Sequence, residues 1–323
     1  MAEDKIVKLV KNCVFPASSL IDRKRTLIHV SPCLDDLLGG GITSGSLVII
    51  RGQYKAGKTT TCLHFAKKAQ EVGYKIVYLD IEARLTARDL SSIPGLDLSP
   101  EKFELCAHSE GNILNGEDFI AVGEHKLKTE KNVVVVFDSF SQLISQDNME
   151  NDIRDRTRDS MPLTLSKFCK RALPFLSVND NICIGITHDI ANQGPGMATK
   201  IEASGRKIQY ANSFKLAARW ASDWKEGDTQ IGQDIHWECE NSALGPPNRT
   251  GVGKLRYGEG LDEVAELVEQ AVTCGVIKKG GAWYEVPGHE SKLCGVLNTI
   301  EFLKQNKEIY NNIKTELKER LEG

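Results

Sequence analysis

The sequence SLVIIRGQYKAGKTTTCLHFAKKAQEVG, residues 46–73, contains the pattern that decides the fold. Residues 46–52 form an apolar run typical of a buried strand, and residues 59–73 have the composition of a helix. The segment between them matches the phosphate-binding pattern GxxxxGK[ST], whose glycines let backbone N–H groups surround phosphate oxygens at a helix N-terminus. We therefore predict a nucleotide bound by Gly52, Gln53, Tyr54, Lys55, Ala56, Gly57, Lys58, Thr59 and Thr60.

The same pattern predicts ATP and Mg²⁺ as ligands. Lys58 has the reach to contact the β- and γ-phosphates, and the hydroxyl of Thr59 is placed to ligate magnesium. Asp138 ends the apolar run VVVVFDS, residues 133–139, where a carboxylate can hold the magnesium through water. An aspartate at a strand end can also cap the next helix, but the upstream phosphate-binding loop favours the metal role. We predict Thr59 and Asp138 as the metal-binding residues.

Two polar residues end other apolar runs, Glu82 in residues 75–82 and His188 in residues 182–188. Because the carboxyl ends of strands line the ligand crevice of an α/β sheet, Glu82 can orient or deprotonate the water that attacks the γ-phosphate. His188 can hydrogen-bond that phosphate and transmit its presence to the following loop. A surface salt bridge for Glu82 and an ordinary strand-end histidine for His188 remain open. We name Lys58, Glu82 and His188 as candidate catalytic residues.

Apolar strands alternate with helical stretches between about residues 31 and 260. The predicted strands are 46–52, 75–82, 133–139, 182–188 and 214–220, and the predicted helices are 59–73, 116–128 and 163–177. Continuous apolar strands separated by helices indicate an α/β fold with a largely parallel central sheet flanked by helices.

Three segments depart from this alternation. Residues 1–30 predict an arm with a short amphipathic helix, which must dock on its own core or on a neighbouring subunit. Residues 189–212 are rich in Gly, Pro and Asn and predict a long loop, functional or disordered. Residues 261–323 predict a small α/β C-terminal domain.

The composition narrows the class of protein. The 41 Lys and Arg against 44 Asp and Glu give a net charge of -3, so any DNA site must be a local patch. No apolar run is long enough to span a bilayer and no secretory signal begins the chain, so we expect a soluble protein. The nine cysteines are scattered without CxxC pairs, which predicts free thiols in a reducing compartment and no zinc site.

With these motifs in view, the chain resembles the RecA-type homologous recombinases, especially the bacterial and bacteriophage branch. The resemblance lies in LDDLLGGGITSGSLVIIRGQYKAGKTT, YLDIEA, VVVVFDSF, SGRKIQYANSFKLAARW, RYGEG and GVIKKGGAWYEVPG. It implies a P-loop ATPase core that forms helical filaments on single-stranded DNA and exchanges strands with a homologous duplex. It also implies a cytoplasmic location, in a bacterial cell or a phage-infected host, with single-strand-binding protein and a loader as further partners.

Individual roles follow from this resemblance. Glu82 falls on the catalytic glutamate, and His188 on the phosphate sensor, where bacterial members usually have glutamine. Tyr257, in RYGEG, falls among the nucleotide contacts. The N-terminal arm resembles the segment that docks on the adjacent protomer.

The resemblance also implies two DNA-facing loops, residues 145–161 and 189–207. Their candidate DNA contacts are Arg154, Arg156, Arg158, Met161, Met197, Lys200, Arg206 and Lys207. The basic side chains can bind phosphates, while Met161 and Met197 (or Ile190) are candidate wedges between stretched bases. Ordinary packing of these apolar side chains is an equally open alternative. In the first loop acidic residues outnumber basic ones.

The chain departs from the family pattern at the nucleotide. Thr86 and Asp89 stand where the family has an aspartate and an aromatic residue beside the adenine. A lysine pair that reaches the neighbour's ATP is replaced by WECENSA, residues 237–243, whose glutamates would repel phosphate. We predict Lys215 and Arg256 as the cations that act in trans, with ordinary surface charge as the alternative.

Two other functions remain open from the sequence. A RecA-fold helicase or motor shares the nucleotide pattern, although the GAWY-containing C-terminal segment speaks against it. A mediator that binds ATP and a recombinase without exchanging strands fits the altered adenine and lysine positions. DNA unwinding and DNA-stimulated ATP hydrolysis distinguish the three.

Overall fold

The computed structural model describes residues 2–152, 154, 159–191, 200–202 and 211–322. Within these ranges the helices are α1 Ala2–Cys13, α2 Ser19–Asp22, α3 Pro32–Leu38, α4 Lys58–Glu71, α5 Ala87–Ser91, α6 Gly116–Thr129, α7 Gln146–Glu150, α8 Met161–Asn179, α9 Glu263–Thr273, α10 Val296–Gln305 and α11 Lys307–Glu322. The strands are β1 Leu27–Ile28, β2 Ile42–Thr43, β3 Leu47–Gly52, β4 Lys75–Asp80, β5 Phe103–Ala107, β6 Val133–Asp138, β7 Ile182–Ala191, β8 Lys200–Glu202, β9 Phe214–Glu226, β10 Thr229–Asn241, β11 Arg249–Arg256, β12 Gly260–Leu261, β13 Lys278–Gly280, β14 Trp283–Glu285 and β15 Leu293–Cys294. None of these helices combines the length and apolar character that crossing a bilayer requires.

The central sheet has a parallel half and an antiparallel half. Its strand order is β12-β11-β10-β9-β3-β7-β6-β4-β5, and β8 pairs with β7 outside this path. The strands from β9 to β5 pair in parallel, whereas β9, β10, β11 and β12 pair antiparallel. The predicted α/β fold with a largely parallel sheet is confirmed. Strand β10 was not among the predicted strands. It alternates buried and part-exposed residues and so contains no continuous apolar run.

Helices cover both faces of the parallel half. In β6, Val134 and Val136 belong to the hydrophobic cluster that contains α3 and α4, while Val135 and Phe137 belong to the cluster that contains α6 and α8. Successive side chains of a strand point to opposite faces, so a strand covered on both faces must be apolar at every position. This burial explains the uninterrupted VVVVF run.

The register of the parallel strands gathers the candidate functional residues at one edge. Gly52 at the end of β3 lies opposite His188 in β7, and Asp80 at the end of β4 lies opposite Asp138 at the end of β6. Parallel strands end at the same edge of a sheet, so residues far apart in sequence meet there. The nucleotide pattern and the three candidate polar side chains therefore share one crevice.

The predicted long loop at residues 189–212 contains backbone pairing. Strand β7 continues past His188, and Asp189, Ile190 and Ala191 pair antiparallel with Glu202, Ile201 and Lys200. The prediction of one continuous loop was therefore wrong at both of these segments, because ladder hydrogen bonds do not require apolar periodicity. Residues 192–199 and 203–210 lie outside the described residues.

The N-terminal helix does not pack on the core of its own chain. Its apolar side chains Ile6, Leu9 and Val10 are exposed, as are Val14 and Phe15 directly after it. The first of the two predicted partners, the chain's own core, is therefore not the one observed. Docking of this helix on a neighbouring subunit stays a prediction.

The C-terminal segment has its own hydrophobic cluster. Helices α9, α10 and α11 enclose it together with the sheet β13-β14-β15. Glu266 of α9 joins this cluster to the core, because its carboxylate accepts hydrogen bonds from the backbone N–H groups of Cys33 and Lys254, each at 3.0 Å. Burial raises the pKa of Glu266 to about 7.

We expect the substitution Gly185→Ala to destabilise the core. A Cβ on Gly185 in β7 would lie 1.8 Å from Cε2 of Phe140, whose buried ring packs against Phe137 and Phe168 and has no room to move. Overpacking of this kind costs about 1–3 kcal/mol, so thermal unfolding should occur several degrees lower. The control is Gly280→Ala, where no atom lies within 4 Å of the added carbon. Equal melting temperatures for the two variants would contradict this packing.

Candidate functional site: a nucleotide cleft at the sheet edge

The phosphate-binding loop is held in a conformation that only glycine allows at its ends. Gly57, directly before α4, has φ 76°, and a Cβ there would lie 2.6 Å from Cδ1 of Ile235. A Cβ on Gly52 would lie 2.2 Å from the carbonyl oxygen of Ala218. The loop therefore packs directly against β9 and β10. It leads into α4, whose N-terminal backbone N–H groups can bind a phosphate.

Lys58 lies at the centre of this loop. Its Nζ donates hydrogen bonds to the carbonyl oxygens of Gly52, at 3.1 Å, and Gln53, at 2.6 Å. Burial lowers its pKa, and the nearby carboxylates of Asp138 and Glu82 act in the opposite direction. The two carbonyl groups hold the buried Lys58 ammonium in the loop, where it can bind a phosphate anion.

Asp138 and Thr59 form the candidate metal end of the cleft. The Thr59 hydroxyl donates to Oδ2 of Asp138 at 2.8 Å, and the Tyr78 hydroxyl donates to the same oxygen at 2.6 Å. Burial raises the pKa of Asp138, and the negative charges of Glu82 and Asp80 raise it further. A hydroxyl oxygen and a carboxylate oxygen close together, in a negative local field, suit the hard cation Mg²⁺. The residues present therefore fit the metal that the sequence predicts.

Glu82 lies beside this metal end and has three partners. Its Oε1 accepts a hydrogen bond from the Ser139 hydroxyl at 2.6 Å and lies 2.6 Å from Nε2 of His188. Its Oε2 lies 3.4 Å from Nη1 of Arg84. The hydrogen bond with His188, together with that from Ser139, lowers the pKa of Glu82 to about 2. Glu82 is therefore an ionised carboxylate at neutral pH, as an acceptor for a water molecule must be.

His188 connects Glu82 to the root of the second predicted DNA loop. Its backbone N–H donates to the Ser141 hydroxyl at 2.9 Å, and the next residue, Asp189, accepts from Nη1 of Arg51 at 2.8 Å. These two hydrogen bonds hold the backbone of His188 and the side chain of Asp189 in β7. The structure brings together Glu82 and His188, whose roles the sequence left open.

The two cations predicted to act in trans are engaged within the chain. Nζ of Lys215 lies 3.0 Å from Oε2 of Glu240, which also binds Arg51. Nε of Arg256 lies 2.8 Å from Oδ2 of Asp262, and its guanidinium lies over the ring of Trp224. Glu240, which the sequence analysis expected to repel phosphate, is thus paired with two cations of its own chain, and the trans role of Lys215 and Arg256 stays a prediction. Lys215 and Arg256 therefore act in partly or fully buried ion pairs and do not line the cleft.

The phosphate-binding loop and the strand-end residues Glu82, Asp138 and His188 surround a cleft of about 530 Å³. Of the predicted nucleotide-binding and catalytic residues it is lined by Tyr54, Lys55, Ala56, Gly57, Lys58, Thr59, Thr60, Glu82, Asp138, His188 and Tyr257. The predicted contacts Gly52 and Gln53 are not among the residues that line it. The sequence did not single out Asp80, Arg84, Leu85, Gln233 and Leu255, which also line it. Ser139 ends the run 133–139 and Asp80 lies two residues before the end of the run 75–82, so their position was a usable signal. Gln233 and Leu255 carry no such signal, because they reach the cleft only through pairing of β10 and β11.

The departure at the adenine positions has a structural role. Thr86 caps the N-terminus of α5, and its hydroxyl and backbone N–H share a capping box with Asp89, whose Oδ2 accepts from both groups. Tyr257 also lines the cleft, and its hydroxyl accepts from Nε2 of Gln230 at 2.9 Å. An aromatic face is therefore available to a base from Tyr257, and it does not come from α5.

The candidate DNA contacts fall mostly outside the described residues. Arg156, Arg158, Met197, Arg206 and Lys207 lie there, and only the backbone of Lys200 is described, within β8. Arg154 is exposed and pairs with Asp152 at 2.6 Å. Met161 begins α8 and is 3% exposed in the core, with its Cε and Sδ packed against Gly116. Of the two roles left open for Met161, its burial favours ordinary packing over insertion between bases.

Comparison with known proteins agrees with this fold. The family model of the RecA N-terminal domain matches residues 20–262, and that of the RecA C-terminal domain matches residues 265–322. The relative named Protein RecA from Chlorobaculum tepidum is 26% identical over 302 residues, covering 91% of this chain and 83% of the relative. Protein RecA from Malacoplasma penetrans is 27% identical over 284 residues, covering 87% of this chain and 83% of the relative.

A third relative gives the same extent of similarity. Protein RecA from Bacillus subtilis is 25% identical over 300 residues, covering 92% of this chain and 83% of the relative. The matches to both domain models include the phosphate-binding loop, the edge of the sheet that carries Glu82, Asp138 and His188, and the C-terminal cluster. The chain therefore belongs to the RecA family.

Proposed function

We propose that this RecA-type recombinase, a DNA-dependent ATPase, binds ATP and Mg²⁺ in the cleft at the sheet edge and uses ATP to form filaments for strand exchange. The observation that carries this proposal is the convergence of Lys58, Thr59, Glu82, Asp138 and His188 at the ends of parallel strands. Phosphoryl transfer depends chiefly on positioning and electrostatics, and this arrangement provides both.

The residues of the cleft divide the work between binding and hydrolysis. Lys58 and the backbone of the loop bind the phosphates, while Thr59 and Asp138 hold Mg²⁺, with Tyr78 fixing the Asp138 carboxylate. Bound Mg²⁺ neutralises charge that develops on the phosphate oxygens. Glu82 orients the attacking water and accepts its proton, since Ser139 and His188 hold its carboxylate in place.

The position of His188 supports a role as sensor of the γ-phosphate. It contacts Glu82 on one side and continues into Asp189 and the hairpin of β7 and β8 on the other. A phosphate that draws the ring away from Glu82 moves the root of the second loop with it. ATP binding is thereby coupled to DNA binding through one strand end.

The proposed partners are single-stranded DNA, a homologous duplex, and further copies of the chain, with a single-strand-binding protein and a loader acting on the filament. We propose residues 1–30 as a docking arm, 31–260 as the ATPase core, and 261–323 as the C-terminal domain. The exposed apolar side chains of α1 support docking on a neighbour. The nine free cysteines support the reducing cytoplasm of a bacterium or of a phage-infected host.

The test is electron microscopy of the protein with a slowly hydrolysed ATP analogue and single-stranded DNA, combined with a strand-exchange assay. We expect regular helical filaments, ATP hydrolysis stimulated by single-stranded DNA, and exchange with a homologous duplex but not with an unrelated one. Unwinding without homologous pairing would support a motor. Nucleotide binding without filaments or exchange would support a mediator, and either result would contradict the proposal.

A further inference from the structure

One basic side chain that lines the cleft has no role in the phosphate-binding pattern. Three basic side chains of the described residues line it, namely Lys55, Lys58 and Arg84. Lys58 belongs to the loop pattern, and Lys55 lies at its outer bend. Arg84 comes from a different strand end, that of β4, and lies two residues after Glu82.

The turn that carries Arg84 is fixed by a buried carboxylate. The Asp80 side chain accepts hydrogen bonds from the backbone N–H groups of Arg84, at 3.2 Å, and Leu85, at 3.1 Å. Ala83, between Glu82 and Arg84, adopts a positive φ of 51°. Side chains on such a constrained turn are held at one place with little loss of entropy on binding.

The guanidinium of Arg84 lies at the mouth of the cleft between two groups. Its Nη1 is 3.4 Å from Oε2 of Glu82, and its Cζ lies 5.9 Å from the centre of the Tyr54 ring. The side chain is 63% exposed, so its charge is not committed to a buried ion pair. Lys215 and Arg256, by contrast, are each held by a carboxylate at about hydrogen-bond distance, outside the cleft.

Charge balance favours a phosphate as the partner of Arg84. The transfer of a γ-phosphoryl group spreads negative charge over oxygens that a cation near the attacking water can stabilise, and an arginine in the same chain can do this. Glu82 marks the side from which water attacks, and Arg84 is the cation next to it. A guanidinium also donates several hydrogen bonds in a fork that matches phosphate oxygens.

We infer that Arg84 binds the γ-phosphate of ATP from within the same protomer, with Tyr54 supporting its guanidinium at the cleft mouth. This inference rests on the proposed binding of ATP in the cleft. Binding of the phosphate also affects Glu82, the proposed general base. Arg84 must leave Oε2 of Glu82 to contact the phosphate.

The test compares nucleotides with and without a γ-phosphate, in protein free of DNA. We expect Arg84→Ala to weaken binding of a slowly hydrolysed ATP analogue about ten-fold or more, as for a lost charge-assisted hydrogen bond, while ADP affinity changes less than about two-fold. Arg84→Lys should restore part of the loss, since it keeps the charge without the fork. Calorimetric titration with each nucleotide in the presence of Mg²⁺ measures both affinities.

The matched control is Arg88→Ala, which removes an exposed arginine from α5 nearby. An unchanged ratio of ATP-analogue to ADP affinity in Arg84→Ala would overturn the inference, as would an equal loss for both nucleotides. A loss found only in DNA-bound filaments would place the contact between protomers and would also overturn it. If the wild-type protein itself does not bind the ATP analogue, the proposed function is contradicted, and the Arg84 inference, which rests on it, is contradicted with it.

Discussion

The substitution Glu82→Gln is expected to reduce DNA-stimulated ATP turnover by about 100-fold or more while ATP and DNA binding persist. Removing a general base costs about 10²–10⁴ in rate, and an amide keeps the shape of the carboxylate but cannot accept a proton. Its oxygen can still accept the hydrogen bond from Ser139, so the local structure should be retained. Filaments loaded with ATP should consequently persist longer than those of the wild-type protein.

Turnover of ATP on single-stranded DNA and filament lifetime measure this effect. The control is Glu71→Gln, which changes an exposed glutamate at the end of α4, far from the cleft residues. Hydrolysis by Glu82→Gln at the rate of this control would remove Glu82 from the catalytic role.

The low pKa of Glu82 adds a pH dependence of known sign. A carboxyl whose pKa is about 2 in the folded protein is ionised throughout the neutral and mildly acidic range. Because this value lies below that of an unfolded chain, the ionised group stabilises the fold above about pH 4.3, and this contribution is lost as the pH falls toward 2. Protonation of Glu82 therefore does not limit ATP turnover between about pH 5 and 8.

The substitution Lys58→Ala is expected to act one step earlier, with the loss of nucleotide affinity and of filaments together. The Lys58 ammonium is the buried cation of the loop, and without it the β- and γ-phosphates lose their main neutralising charge. Loss of a charge-assisted contact in a buried site corresponds to about 100-fold weaker binding or more. The fold itself should be retained, since the hydrogen bonds that Lys58 donates go to carbonyl oxygens of its own loop.

Calorimetric titration with ADP and with an ATP analogue measures this loss, and electron microscopy follows the filaments. The control is Lys67→Ala, on the same helix α4 but outside the cleft. Unchanged affinity in Lys58→Ala would show that nucleotide binds elsewhere. The variants Lys58→Ala and Glu82→Gln together distinguish the residue that binds ATP from the residue that hydrolyses it.

Much of the nucleotide site could be predicted because its determinants are local. The phosphate-binding loop is a single run of eight residues, whose glycine positions and following helix are written directly in the pattern 52–59. The apolar runs predicted the central strands since both faces of the parallel half are covered. The candidate residues at strand ends followed from the rule that parallel strands end at one edge.

Other parts of the site depend on partners that lie far away in the sequence. Lys215 and Arg256 carry the expected charge for contacts with phosphate, but Glu240 and Asp262 hold them in ion pairs. Met161 has the side chain of a wedge, yet the first turn of α8 places it in the core beside Gly116. Sequence spacing carries no information about either environment.

The sequence by itself determined the chemistry available to this protein: the phosphate-binding loop, the alternation of strands and helices, and the acidic residues at strand ends. Only the tertiary structure decided which groups act together. The registry of β4 with β6 and of β3 with β7 places the Tyr78 hydroxyl on Asp138, Ser139 and His188 on Glu82, and Arg84 at the cleft mouth. The physical reason is that side-chain hydrogen bonds and ion pairs extend only a few ångströms, and long-range strand pairing decides which side chains come that close.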